Sequence, residues 1–486
     1  MLPLRRITSE DLHRRRWSLL ALTSIGAFMS PLDSAIVAVA LPVMSPDLDL
    51  SFATSMWVQA AYLLTMAVLL IPMGRVADHR GRVRYYLLGI AVFTVGSFLA
   101  ALSMNASWMI GSRIVQGAGA ALLSATSAAI VTAVFPPHER GRALGINVMA
   151  IYLGLSIGPP LGGFLAGGLG WRWVFLVNLP VGVVSLLWGW FLLPRRDSVR
   201  REASRPDALG TILLSLFLVC LLVPLTFGAE WGWMAPQSVA LLVVSGLALA
   251  AFVVTELRVP EPVLDLDLLQ HNRLFAAANL AAFINYMALA AIGILTAIFL
   301  QVVQGRSPAV TGWLMLSQPF IMALLSPLSG RLSDRVGSRV LTTTGMLTIA
   351  LGMGVLATLG QEAGVERVVV GLAVVGLGMA AFSAPNSSAV MGAVRDDQLS
   401  LASAFLGTMR VTGMTLSFAV LGGVAASQLG QHGGRLLFSL QGEGAGLAAQ
   451  AAEAYVRGYR YAMLVGVVLA LVGAAVSLTR GPHVRS

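Results

Sequence analysis

The chain has 486 residues, 57% of them hydrophobic and only 11% charged, with a mean hydropathy of +0.81 and a net charge of +10. That balance excludes a soluble globular protein and points to an integral membrane protein. The sequence contains no lysine, so its basicity is carried by arginines, whose placement follows membrane topology and leaves no nucleic-acid partner to be expected.

Fourteen apolar runs are long enough for a hydrocarbon core about 30 Å thick, which takes about 20 helical residues. They cover 17–44, 54–74, 85–104, 107–134, 143–168, 174–193, 208–228, 238–257, 274–302, 313–331, 340–359, 367–391, 400–426 and 459–479. None shows the roughly ten-residue alternation of a membrane barrel, and lipid requires backbone groups to be paired internally, so the predicted fold is all-α. The first run is too long for a signal peptide and no small-residue cleavage pattern follows it, so it is expected to be retained. With a cytoplasmic N-terminus, 24 of the 32 arginines face the cytoplasm, six face outward, and Arg113 and Arg410 lie within runs. This skew predicts both termini inside.

In chain order, the first run carries Asp33, about 24 Å along a helix and the only carboxylate well inside any run. An ionised acid in hydrocarbon costs a few kcal/mol or more, so such a residue normally faces a protein interior or wet cavity and marks a transport or proton pathway. A structural acid bonded to neighbouring helices is the plainer alternative. The fourth run holds Arg113, about 9 Å deep, with Gln116 one turn on. Arg113 either reaches Asp33 or snorkels to the outer headgroups. In the fifth run Gly154, Gly158 and Gly162 form a strip of spacing four, with Pro159, Pro160 and Gly163 among them. Such a strip permits close helix approach, and the prolines bend the axis. The hairpin after the seventh run has Glu230, Trp231 and Trp233, placed as interfacial anchors. Cys220 is the only cysteine, which excludes an intrachain disulfide and a cysteine metal cluster. His13, His79, His138, His271, His432 and His483 all fall outside the runs, which excludes a membrane-buried histidine relay.

"GRVADHRGRVR" after the second run and "GRLSDRVGSR" after the tenth share Gly-Arg-x-x-Asp-x-x-Gly at an offset of 330 − 74 = 256 residues. The chain therefore divides into a cytoplasmic segment (1–16), a six-helix bundle (17–193), a linker region with two additional helices (194–273), a second six-helix bundle (274–479) and a cytoplasmic tail (480–486). Leu264, Leu266, Leu268 and Leu269 in the second linker suit either a surface-lying segment or a solvated connector. Repeated helical halves around a midplane site are a plan of secondary transporters.

Further motifs are "LDSAIVAVALP", "RIVQGAGAA", "GLSIGPPLGG", "WRWVFLVNLPVG", "GAEWGWMAP", "QVVQGRSPAVTG", "SAPNSSAVMG" and "GTMRVTG". In this order and topology the chain resembles the major facilitator superfamily, specifically its fourteen-span drug:proton antiporters of the EmrB/QacA type, over about residues 15 to 480. The resemblance implies two six-helix bundles with two additional transmembrane helices between them. It implies proton coupling at Asp33, with the first and fourth helices adjacent so that Arg113 meets it. It implies conformational gating by Gly74, Arg75, Asp78, Gly81 and Arg82, with Asp78 near the start of the thirteenth helix, and by Asp334 in the repeated loop. Gly154, Gly158, Pro159 and Gly162 then form the antiporter signature, and Arg410 either pairs helices at the inner gate or touches substrate. Candidate cavity residues are Tyr62, Gln116, Asn147, Tyr152, Asn178, Asn285, Tyr286, Gln318 and Asn386, several of which equally suit helix-to-helix hydrogen bonds.

The expected function is proton-coupled multidrug efflux of lipophilic, often cationic, compounds by a monomer in the bacterial inner membrane, its partners being the bilayer, the substrates and protons. Export of an amphipathic lipid, siderophore or self-made antibiotic is the second reading, and a non-transporting sensor the third. No cofactor is expected, since a phosphate-binding loop needs the lysine this chain lacks. Nor do the residues assemble a nucleophile, base and electrophile for an enzyme.

Overall fold

Each of the fourteen apolar runs is helical in the computed structural model, which describes residues 16–192, 208–259, 270–395, 399–429, 437–438 and 445–480. No strand occurs among the described residues. The spans are α1 (Arg16–Asp47), α2 (Phe52–Arg80), α3 (Arg82–Ala101), α4 (Ala106–Val134), α5 (Pro137–Gly168), α6 (Arg172–Leu176 and Asn178–Leu192) and α7 (Ala208–Trp231). They continue as α8 (Pro236–Glu256), α9 (Arg273–Leu289, Ile292–Ile298 and a π turn, Phe299–Val303), α10 (Pro308–Met315 and Ser317–Val336), α11 (Ser338–Ala357), α12 (Val365–Gly392), α13 (Leu399–Ser427) and α14 (Ala445–Leu478). The leucine-bearing stretch of the second linker lies outside the described residues, as does the whole stretch 193–207 between α6 and α7.

Two of the breaks follow from proline. In α6 the first segment ends at Leu176 and Pro180 stands four residues on; in α10 the first ends at Met315, four before Pro319. Proline has no N–H to return to the carbonyl four residues back, so the ladder parts there and the following segment can take a new direction. The α6 break brings Asn178 to the head of its second segment. Pro159 and Pro160, by contrast, leave α5 assigned as one unbroken helix.

The last helix begins well before its apolar run at 459. Its added turns, "AGLAAQAAEAYVRGYRY", are rich in alanine, the best helix former. They carry a Glu453–Arg457 pair at i,i+4 (2.8 Å). Tyr455 and Tyr459 are fully buried there: Tyr455 donates to Leu295 O (2.7 Å), the Tyr459 hydroxyl bonds that of Thr296 (3.1 Å), and Arg460 donates to Leu359 O (2.7 Å). Arg457 and Arg460 thus belong to a helix rather than to a loop.

The glycine strip of α5 lies on α1. A Cβ built at Gly154 would stand 2.5 Å from Phe28 O, one at Gly158 2.4 Å from Ala35 Cβ, and one at Gly162 2.8 Å from Ile36 O. The adjoining surface of α5 meets α10 reciprocally, with a Gly163 Cβ 2.2 Å from Pro308 O and a Gly312 Cβ 2.2 Å from Pro159 O. Gln301 of α9 donates to Val39 O of α1 (2.8 Å) across the same seam. Elsewhere α13 packs along α2, and α7 touches both: Trp57 of α2 stacks on Phe227 (5.9 Å between centroids), and a Cβ at Gly423 of α13 would lie 2.7 Å from Leu225 O. The partner of α8 is α7, and α8 leaves Val243, Leu247 and Val254 exposed for lipid.

The two repeated loops are single-glycine turns. Gly81 joins α2 to α3 at φ 107°, and Gly337, 256 residues later, joins α10 to α11 at φ 86°; each amide donates to the carbonyl four residues back (both 2.9 Å). Such angles with extended ψ belong essentially to glycine. Gly337→Ala is expected to cost about 1–3 kcal/mol. Gly330→Ala, within α10 and with nothing within 4 Å of its new methyl, is expected to be neutral or stabilising by up to about 1 kcal/mol. Thermal unfolding of the purified variants in one detergent checks this, and equal midpoints would refute the assignment.

Candidate functional site

Asp33 and Arg113 meet directly. Both are fully buried, and Arg113 Nη1 donates to Asp33 Oδ2 at 2.6 Å. The guanidinium does not snorkel outward. Of the two alternatives posed by the sequence, α1 and α4 are close enough for the bridge to form.

The shell around the pair supplies donors to the acid and acceptors to the base. Asp33 Oδ1 accepts from Gln116 Nε2 (2.8 Å) and Asn178 Nδ2 (2.9 Å). Arg113 donates through Nε to Val58 O (3.0 Å), through Nη2 to Gln59 Oε1 (3.0 Å), and through Nη1 also to Gln116 Oε1. Ser97 Oγ accepts from Gln116 (2.8 Å) and more weakly from Asn178 (3.4 Å). The Tyr62 ring lies 4.3 Å from the guanidinium carbon, Phe175 lies at 5.9 Å, and the Tyr62 hydroxyl is 2.5 Å from Ser30 Oγ. Thus α1, α2, α4 and α6 each place a polar group on one ion pair, and Ser97 of α3 steadies two of its amide partners. The carboxylate accepts from three donors, one of them charged.

The candidate cavity residues separate on inspection. Tyr62, Gln116 and Asn178 belong to the ion-pair cluster. Asn147 of α5 donates to Ser127 Oγ of α4 (2.9 Å), a helix-to-helix bond. Tyr152 is half-buried against the apolar core, and the backbone of Gln318 lies against Gly376 of α12. In the second half, Asn285 is buried with Nδ2 3.2 Å from Met379 Sδ. Tyr286 presents its ring to Arg410 at 5.7 Å, and Asn386 Oδ1 accepts from Arg480. Arg410 is half-buried and donates to Ser387 Oγ at 2.5 Å.

Around the first loop, Asp78 binds Arg82 Nε at 2.5 Å, and Arg82 Nη1 donates to Ala129 O (3.0 Å), which ties the turn to α4. Gly74 faces Ala125 at ordinary contact distance, and Arg75 is half-buried beside it. The Asp334 side chain lies outside the described residues. Among the described residues no group of three or more His, Cys, Asp or Glu side chains could hold a metal ion.

Sequence reasoning did not single out Gln59, Ser97, Ser30 or Arg480. The first three are common polar residues inside apolar runs, and no spacing rule says which neighbouring helix they face. Arg480 reads as one more cytoplasmic anchor, yet it is 1% exposed.

The profile of the Major Facilitator Superfamily matches residues 23–257 and 278–486. Multidrug resistance protein Stp of Mycobacterium tuberculosis is 35% identical over 423 residues, 86% of this chain and 77% of that protein. The tetracenomycin C resistance and export protein of Streptomyces glaucescens is 30% identical over 422 residues, 87% of this chain and 78% of that one. The crystal structure of a bacterial homolog to the human lysosomal transporter Spinster, in an inward-facing and occupied conformation, matches with a TM-score of 0.68 and 20% identity over 95% of this chain and 96% of that one. The all-helical fold with fourteen candidate spans and the extent of these matches place the chain in the Major Facilitator Superfamily, as a multi-pass membrane transporter and not an enzyme.

Proposed function

We propose that this transporter is a proton-coupled multidrug efflux antiporter of the fourteen-span EmrB/QacA type, working as a monomer in a bacterial cell membrane with both termini cytoplasmic. The observation that carries the reading is the buried Asp33 with Arg113 at 2.6 Å and two amide donors on its other oxygen. A membrane acid held this way has two states. Ionised, it keeps the guanidinium; protonated, it loses the charge that holds Arg113, which then depends on Val58 O, Gln59 and Gln116. Taking up a proton therefore loosens α1 from α4, and giving it up draws them together.

That motion reaches the seam between the halves because Asp33 sits within the stretch of α1, Phe28 to Ile36, that packs on the α5 glycines. On this reading Gly154, Gly158, Pro159 and Gly162 pass a shift of α1 to α10. Gly74, Arg75, Asp78, Gly81, Arg82 and Asp334 govern the opposite rim. Lipophilic cargo enters among the apolar walls with Tyr152, Asn285, Tyr286, Gln318 and Asn386 as polar contacts. Export of a self-made antibiotic is the second reading, supported by the similarity to a protein named for tetracenomycin C resistance and export.

The transport test uses proteoliposomes with a trapped pH dye and ethidium as cargo. Wild type is expected to move protons when ethidium is added, and Asp33→Asn to fall to the level of empty liposomes. Undiminished coupled flux in Asp33→Asn would remove Asp33 as the proton carrier. The pairing is tested separately by stability. Arg113→Leu leaves a buried carboxylate uncompensated and is expected to cost about 3–5 kcal/mol. Asp33→Asn combined with Arg113→Leu is expected to regain most of that loss, as read from thermal midpoints in detergent; simple additivity of the two changes would show that the charges are not coupled.

A further inference from the structure

The two halves balance their buried charge differently. In the first, Arg113 is neutralised by Asp33. In the second, Arg410 of α13 and Arg480 just beyond α14 form no ion pair with a carboxylate among the described residues. Of the seven acids from residue 274 onward, Asp334 is in the last turn of α10, Glu362 between α11 and α12, Glu366 in the first turn of α12 and Glu453 in the early turns of α14, while Asp396, Asp397 and Glu443 lie outside the described residues.

Both arginines reach α12 at one level. Arg480 Nη2 donates to Asn386 Oδ1, and Arg410 Nη2 donates to the next residue, Ser387. The Tyr286 ring of α9 closes the other side of Arg410. What remains is rich in donors: Arg410 Nε, Arg480 Nε, Arg480 Nη1 and Asn386 Nδ2 are all buried without a hydrogen-bond partner. Two amide oxygens of α9, Asn279 Oδ1 and Asn285 Oδ1, are also unpartnered, but they are neutral and bind neither guanidinium. Burial pushes the Arg480 guanidinium down to about 10, so it stays cationic at neutral pH. Burying a cation without a counter-charge is costly, and unpaired buried donors add to the cost. A bound acceptor that also carries negative charge relieves both.

We propose that the α9–α12–α13–α14 face of the second half is a recognition site for the oxyanion of a lipophilic compound, a carboxylate, phenolate or phosphate, with half-buried Arg410 as its direct ligand. Arg480 and Asn386 stand behind it, raising the positive potential and holding the α12 edge in place. The apolar body of the compound lies against Tyr286 and the neighbouring aliphatic surface. The proposal rests on the reading of this chain as an exporter of lipophilic compounds, and it turns the preferred cargo from organic cations to anions and zwitterions.

The test is equilibrium binding to the full-length protein in nanodiscs of neutral phosphatidylcholine, read by fluorescence polarisation with two dyes sharing one xanthene scaffold. Fluorescein carries the oxyanions and rhodamine 6G is a cation. Wild type is expected to bind fluorescein more tightly. Arg410→Gln is expected to weaken fluorescein at least about tenfold, the scale of one charged hydrogen bond, while leaving rhodamine 6G unchanged or tighter. Arg410→Lys is expected to fall between.

Wild type that binds fluorescein no better than rhodamine 6G, or binds neither, overturns the proposal, and this arm needs no variant to fold. Equal weakening of both dyes by Arg410→Gln also overturns it. So does displacement of fluorescein by inorganic phosphate as effective as by an unlabelled aromatic carboxylate, because the occupant would then be a free anion. No proton gradient is present, so the outcome is independent of whether export is driven by protons.

Discussion

A charge cannot be left bare in hydrocarbon, and the first half of this transporter is arranged around that constraint. Asp33 and Arg113 cancel each other, but a buried pair offsets its own desolvation only when its remaining lone pairs and N–H groups are also satisfied. Residues from four helices meet that requirement, Asp33 from α1, Val58 and Gln59 from α2, Arg113 and Gln116 from α4, and Asn178 from α6, with Ser97 of α3 accepting from Gln116 behind them. Helix positions that lipid packing alone would leave loosely specified are thereby fixed relative to one another. The α6 break at Pro180 belongs to the same logic, since the segment that begins there is the one whose first residue reaches the acid.

The contact between α1 and α5 is the apolar counterpart. In lipid there is little hydrophobic gain in bringing two helices together, so tight association depends on close packing of small residues. Gly154, Gly158 and Gly162 provide it against the turns of α1 that flank Asp33, while the adjoining surface of α5 meets α10 through Gly163 and Gly312. One helix therefore touches both the charged cluster's own support and the other half of the molecule. The inserted hairpin adds a second bridge, because α7 lies on α2 from one half and α13 from the other.

Much of this was legible in the sequence, and what was hidden has a physical pattern. Long apolar runs declared all fourteen spans, since composition alone decides whether a segment tolerates hydrocarbon. A lone acid and two arginines stood out in such runs for the same reason, and the structure brings Asp33 and Arg113 together. The repeated Gly-Arg-x-x-Asp-x-x-Gly located the turns at Gly81 and Gly337. Partnership was legible only for Gln116, one turn from Arg113; Asn178 and Tyr62 look like cavity residues until the helices are placed, and then they lie against the ion pair. The early turns of α14 were missed because Glu453, Arg457 and Arg460 lower the hydropathy of a stretch whose two tyrosines are fully buried. Arg480 was missed because an arginine just past an apolar run normally anchors in headgroups, and only the packing of α12 shows that it does not.

The manner in which α5 meets α10 sets what it takes to part them. Pro159 O and Pro308 O each stand within a helix and each faces a glycine of the opposite half, so the touching surfaces are bare main chain. Pulling them apart surrenders dispersion, about 0.1–0.2 kcal/mol for each atom pair, together with the Gln301 hydrogen bond to Val39. No salt bridge among the described residues has to be broken between these two helices. The closure is thus tight in geometry, yet it is held by main-chain packing rather than by charge, so parting it leaves no ion stranded.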